Sequence, residues 1–265
     1  SDDAFMFYAL AKGKIPTEGL EFVHVLKDIE TLNREALIGT YEISAVSIHA
    51  YAQLADKYAL LGSGASMGEK YGPMVVARKS FGFAQLRGKK IAVPGTMTTA
   101  FLALKLLEPD FEYIVVPFDQ IIEQVKAGKA DAGLIIHEGQ LQYREEGLSL
   151  IVDLGEWWWG ETGLPLPLGG NAVRRDLGPE LMKKLARILK ASIAYGLEHR
   201  KEALEHALHY ARGLKPATAD KFVGMYVNQR TLDYGNDGRA AVHKLLSLAH
   251  QRNLIPHLPQ IDFID

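Results

Sequence analysis

Short apolar runs alternate with amphipathic helical stretches along most of this chain, and that alternation constrains its fold more than any other feature. A helix placed between two buried strands is the connection a parallel pair requires, so the pattern predicts an α/β protein with mostly parallel sheets. Strands are expected over residues 21–26, Ile43–Ser47, 58–62, 73–78, 91–94, 113–117 and 132–136. Phe22 should turn inward from the first of these, with Val23 and Val25 as candidates to join it. Helices are expected near 5–11, 29–37, 49–58, 100–107 and 121–127. The last third reads as helical, over about 179–199, 201–213, 217–226 and 237–252. Apolar side chains such as Leu181, Leu185, Ile188 and Ile193 recur there at helical spacing.

A chain of 265 residues is long enough for one large or two smaller domains. The order of elements predicts two α/β lobes, the first discontinuous: residues 1–77 with 170–265, and a second lobe of 78–169. The chain would cross between them near 76–80 and again near 167–171, leaving a ligand cleft with a two-strand hinge.

Composition excludes several function classes. Thirty basic side chains face 32 acidic ones, a formal net charge of -2, so nothing predicts nucleic acid as a partner. The sequence has no cysteine, which removes disulfides, thiolate metal sites and cysteine nucleophiles. No apolar run approaches the roughly 18 residues that would indicate a membrane span. Ser1-Asp2-Asp3 carries no basic region or secretory apolar core.

Several segments are placed for chemistry. Gly95-Thr96-Met97-Thr98-Thr99 joins a buried strand to the apolar helix that follows. Its amides and hydroxyls at a helix start suit a carboxylate or phosphate, and they equally suit an ordinary threonine N-cap. Ser44, Ala45, Val46 and Ser47 end a buried strand, where ligands of open α/β sheets collect. Ser47 is also a candidate cap for the helix near His49. His137 directly follows Gly133-Leu134-Ile135-Ile136, at the crevice end of a strand. An imidazole there can accept a proton near neutral pH, or merely begin the next helical turn. Trp157-Trp158-Trp159 offers pocket walls or lobe packing, with packing expected for at least one ring. The glycine-rich stretch 62–68 lacks the lysine and helix of a phosphate loop and is expected as a flexible loop at the cleft rim. His206 and His209 share a helical face, but no further metal ligand accompanies them.

Taken in order, several segments resemble the 1,4-dihydroxy-6-naphthoate synthase family of the futalosine route to menaquinone. They are Asp2-Asp3-Ala4-Phe5, Glu30-Thr31-Leu32-Asn33, Ser47-Ile48-His49-Ala50-Tyr51, Ser63-Gly64-Ala65-Ser66-Met67-Gly68, Val93-Pro94-Gly95, Gly133-Leu134-Ile135-Ile136-His137-Glu138 and Gly163-Leu164-Pro165-Leu166-Pro167. The resemblance implies a two-lobe, type II periplasmic-binding-protein-like fold in a cytoplasmic lyase. It implies conversion of cyclic dehypoxanthine futalosine to 1,4-dihydroxy-6-naphthoate with release of dihydroxyacetone, with no metal or organic cofactor. The partner implied is a small-molecule substrate, with no membrane and no obligatory protein partner. His137 takes the position of the family's base. Ser44, Ala45, Val46, Ser47, Thr98, Thr99 and Ala100 take those of its substrate contacts, with Asn33 a further polar candidate. Family members carry a strand and a Ser-Pro-x-x-Asp-Asp-like turn before the first helix, so about ten further residues are expected upstream, from a strand of about 5–6 plus a turn. Two alternatives are a small-anion solute-binding protein and a chorismate dehydratase of the same route. The Ile135-Ile136-His137-Glu138 segment argues against the latter.

Overall fold

A computed structural model describes residues 2–210 and 216–265. The expected end of the helix at 201–213 lies partly outside the described residues, as does Ser1. Two short helices open the chain, α1 (Asp2–Met6) and α2 (Tyr8–Ala11), followed by α3 (Ile29–Leu37). Then come β1 (Ile43–Ser47), α4 (Ile48–Leu54), β2 (Tyr58–Leu61), β3 (Ser66–Gly68) and β4 (Met74–Ala77). The middle of the chain builds β5 (Lys90–Val93), α5 (Thr99–Leu107), β6 (Glu112–Val115), α6 (Ile121–Lys126), β7 (Ala132–Ile135), β8 (Ser149–Asp153) and α7 (Leu154–Thr162). β9 (Leu166–Arg174) leads into α8 (Pro179–Glu198), α9 (Arg200–Leu208), α10 (Pro216–Tyr226), α11 (Gln229–Leu232), α12 (Gly235–Gln251) and β10 (Phe263–Ile264).

The strands form two sheets. One has the order β1-β9-β2-β10, with β3 also paired to β9; the other runs β6-β5-β7-β4-β8. Both are mixed rather than mostly parallel. β9 runs antiparallel to β1, β2 and β3, and β4 runs antiparallel to β7 and β8. The reason is topological: β4 and β9 each enter their sheet from the other one instead of closing a helix crossover within it.

Those pairings move the first crossing. Val75 and Val76 oppose Leu134 and Gly133 of β7, so β4 belongs to the second sheet and the chain crosses in the preceding segment 69–73. The expected boundary after residue 77 falls one strand late. β9 lies wholly in the first sheet, so the return crossing is the short segment 163–165 before it, not 167–171.

The crossings are packed tightly. An ideal Cβ on Gly155 would stand 1.9 Å from the Tyr71 carbonyl oxygen, so only glycine lets the first crossing lie on the start of α7. Asp153 caps that helix, accepting the N–H groups of Gly155 (2.8 Å) and Glu156 (3.2 Å). Trp158 is buried, and its indole N–H donates to the Pro165 carbonyl at 3.1 Å, at the return crossing. Packing is therefore its role. Trp157 lies partly buried against the same core.

Two further expectations change. Residues 21–26 keep the strand's alternating composition but form no strand, and no described strand pairs with them. Phe22 packs on the apolar cluster beneath α8, whereas Val23 is 81% exposed and Val25 42%. The stretch 62–68 lies at the cleft, where Ser66 joins the lining, but it is anchored structure rather than a flexible loop. Most of it is buried, Gly64 N–H donates to the Thr231 carbonyl at 2.6 Å, and Ser66–Gly68 pairs with β9.

Candidate active site

Between the two sheets lies a cleft of about 520 Å³. Ser47 reaches it from the end of β1, Thr98, Thr99 and Ala100 from the start of α5, and His137 from the end of β7. The cleft thus gathers strand ends and one helix start, where backbone polar groups lack ladder or helix partners.

The threonine turn is built to present amides. Thr98 is the N-cap of α5: its Oγ1 accepts the Phe101 N–H at 3.1 Å and donates to the Gly95 carbonyl at 3.0 Å. The next amide, that of Leu102, donates to the Thr98 carbonyl. The amides of Thr99 and Ala100 precede any intrahelical acceptor and stand at the positive end of the helix dipole. Thr99 Oγ1 donates to the Leu168 carbonyl at 2.6 Å and accepts the His49 N–H at 3.1 Å, locking α5 to α4 and β9. The Thr98 hydroxyl is a cap, and Thr98, Thr99 and Ala100 all line the cleft.

His49 lies behind the turn rather than in it. It is buried, its Nδ1 is 3.2 Å from the Thr98 carbonyl, and burial lowers its pKa. A neutral ring is what that setting favours.

Asn33 stands behind Ser47. Its Oδ1 accepts the Ser47 N–H at 2.8 Å and its Nδ2 donates to Ser47 Oγ at 3.0 Å. The same Nδ2 comes within 3.4 Å of the Met97 carbonyl. Asn33 is fully enclosed, and it positions Ser47 and ties it to the threonine turn. Ser44, Ala45 and Val46, expected beside Ser47 as substrate contacts, do not line the cleft. Ser44 and Ala45 line a second cavity of about 370 Å³ beside α8, and Val46 is sealed in the apolar core. Alternation along β1 turns Ser44 and Val46 away from the face that Ser47 shares with Ala45, and Ala45 lies one residue pair further back along the strand.

Glu30, to which no local sequence pattern assigns a role, is part of the same assembly. It is buried, and its Oε2 accepts the Met97 N–H at 3.1 Å while Oε1 pairs with Arg34 at 2.9 Å. An ideal Cβ on Gly95 would lie 2.2 Å from Glu30 Oε2 and 2.5 Å from its Cγ, so Gly95 is the gap into which the carboxylate inserts. The only sequence signal was the glycine itself. Together Glu30 and Asn33 clasp α3 to the turn that opens α5.

His137 begins a 3-10 turn, Glu138–Leu141. Its ring lies edge-on to Phe118, with centroids 5.1 Å apart at 81°. An ideal Cβ on Gly139 would lie 3.2 Å from His137 Cε1, closer than side chains normally pack, so glycine makes room for the imidazole. The Gln140 N–H donates to the His137 carbonyl at 2.9 Å. Chemically, the cleft brings an imidazole and the start of a helix to one space of about 520 Å³.

A family model described as menaquinone biosynthesis matches residues 1–251. The chain belongs to that family. Two curated relatives, both named 1,4-dihydroxy-6-naphthoate synthase, are similar along nearly the whole chain. The one from Thermus thermophilus is 41% identical, covering 99% of this chain and 96% of its own. The one from Streptomyces coelicolor is 37% identical, covering 97% and 92%. A crystal structure of an Archaeoglobus fulgidus protein is 50% identical with a TM-score of 0.92, covering 96% of this chain and 95% of that one. The menaquinone-biosynthesis function is thereby established for this chain as an enzyme of that route. The periplasmic aliphatic sulphonate-binding protein of Escherichia coli superposes with a TM-score of 0.65 at 13% identity, covering 97% and 87%. At that identity it shows the fold, which is the expected two-lobe binding-protein-like architecture.

Among the described residues no helix is long and apolar enough to cross a membrane. No group of three or more His, Asp or Glu side chains is placed to hold a metal ion among them either. His209 Nδ1 instead lies 2.8 Å from the Glu205 carbonyl of its own helix.

Proposed function

We propose that the cleft converts cyclic dehypoxanthine futalosine to 1,4-dihydroxy-6-naphthoate and dihydroxyacetone in the cytoplasm, as a carbon–carbon lyase. The observation that carries the reading is the joint lining of one cleft by His137 and the start of α5, in a chain whose curated relatives are named for the naphthoate product. His137 is the general base, removing the proton whose loss drives release of the three-carbon fragment. The fragment's departure aromatises the ring, a redox-neutral elimination for which a neutral imidazole is a suitable acceptor.

The amides of Thr99 and Ala100 receive the substrate's anionic or oxygen-bearing end, with charge-assisted hydrogen bonds at a helix start. Ser47 adds a hydroxyl whose position is fixed by Asn33. The segments 69–73 and 163–165 act as the hinge, and closing the lobes places substrate against His137 while expelling water.

The test is incubation of the purified protein with cyclic dehypoxanthine futalosine, with products followed by mass spectrometry. The naphthoate and dihydroxyacetone should appear together. Tight binding with no product would overturn the catalytic reading in favour of a receptor.

A further inference from the structure

We propose that Tyr226 and Gln140 form a positioning bridge that carries the first lobe's helical layer to the turn bearing His137. The inference rests on the reading of His137 as the base.

α10 belongs to the helical layer of the first lobe by packing: its Val223 joins the buried cluster of Phe5, Ile193 and Ala203 from α1, α8 and α9. Its last residue, Tyr226, nevertheless reaches the second lobe. The Tyr226 hydroxyl donates to Gln140 Oε1 at 2.8 Å, and both side chains are buried. The ring is gripped from two sides, edge-on by Tyr71 (5.7 Å) and tilted against Phe222 (5.1 Å). Tyr71 is itself part of the first crossing.

The amide orientation of Gln140 follows from its other partner. Its Nε2 donates to the Ile135 carbonyl at 3.3 Å, at the end of β7, so Oε1 must face the phenol. The main-chain N–H of Gln140 donates to the His137 carbonyl at 2.9 Å. Gln140 thus holds both ends of the segment 135–137 from one residue. A single 3-10 turn has poor hydrogen-bond geometry of its own, and here it starts beside a glycine. The bridge supplies the rigidity the turn lacks, and it does so from the opposite lobe. A base misplaced by about an ångström loses catalytic rate before the substrate loses its anchor. Gln140 and Tyr226 line the same cleft as the anchor at the start of α5, but the bridge's hydrogen bonds run to Ile135 and His137.

The experiment compares wild type, Tyr226→Phe, Gln140→Ala, the double variant and His137→Ala. Tyr226→Phe keeps the ring and its packing and removes only the hydroxyl. It should lower kcat about ten- to a hundredfold while KM stays within about threefold, the pattern of lost positioning rather than lost binding. The double variant should be no worse than Gln140→Ala alone, because Tyr226 acts through Gln140. The carbon–proton NMR signal of the His137 ring, read without any turnover, should shift or broaden in both single variants. Unchanged kcat and an unchanged ring signal in Tyr226→Phe would overturn the bridge. So would a raised KM with kcat intact, which would make Tyr226 a substrate contact. Activity retained by His137→Ala would instead sink the base assignment, and the ring signal would still decide whether the bridge positions this turn.

Discussion

Gly95→Ala tests whether the clasp between α3 and the threonine turn is built as described. Gly95 does not require a left-handed backbone, so the first obstacle to a methyl group there is the Glu30 side chain, at 2.2–2.5 Å. Glu30 must withdraw. It then gives up the Met97 N–H bond of 3.1 Å and its pairing with Arg34. A hydrogen bond to a charged group contributes about 1.5–3 kcal/mol. The half-exposed ion pair adds at most about 1 kcal/mol. The expected loss is about 2–4 kcal/mol in urea denaturation monitored by circular dichroism. Glu30→Ala should lose a similar amount on its own. The decisive arm is the double variant. With Glu30 truncated, the methyl at residue 95 enters vacated space, and the alanine also restricts the unfolded chain by about 0.4–1 kcal/mol. Gly95→Ala should therefore cost nothing, or stabilise slightly, in the Glu30→Ala background. Equal costs in both backgrounds would refute the clasp as the reason for the glycine.

Asn33→Ala should cost about 2–4 kcal/mol in the same assay, because it strands the buried Ser47 N–H and opens a small void. Asn33→Asp should cost more, since a buried carboxylate cannot donate to Ser47 Oγ. Burial pushes the Asp153 carboxyl up to about 6, from an ordinary value near 3.9. The native state then holds this proton more tightly than the unfolded chain does. Its contribution to stability is present at low pH and lost as pH rises from about 4 through 6. The stability of wild type relative to Asp153→Asn should accordingly fall by about 3 kcal/mol between pH 3 and pH 7. A flat difference across that range would show that the carboxyl titrates normally.

Much of this arrangement is legible in the sequence, for physical reasons that also mark where reading stops. Thr98 announces itself by lying between a buried strand and an apolar helix, and His137 by directly following Ile136 at a strand's end. Both signals are local. Strand membership of a sheet is not: Met74–Ala77 reads as a buried strand in either lobe, and only pairing with β7 and β8 assigns it to the second. Residues 21–26 show the same limit from the other side, since alternation marks a segment fit for a ladder without supplying a partner. The family resemblance takes Ser44, Ala45, Val46 and Ser47 together, whereas the pleat turns Ser44 and Val46 off the face of Ser47 and only Ser47, at the strand's end, lines the cleft. The contacts that assemble the site join distant positions, such as Glu30 with Met97 and Gln140 with Tyr226, 86 residues apart. No spacing rule reports such pairs.

The most direct measurement of the central claim is turnover of cyclic dehypoxanthine futalosine by His137→Ala beside wild type, with substrate binding measured calorimetrically on both. His137→Ala should bind with an affinity within about tenfold of wild type, because the anchor at the start of α5 is untouched. It should form no detectable 1,4-dihydroxy-6-naphthoate in a single-turnover experiment. Production of the naphthoate by His137→Ala at a rate near that of wild type would contradict the assignment of His137 as the base.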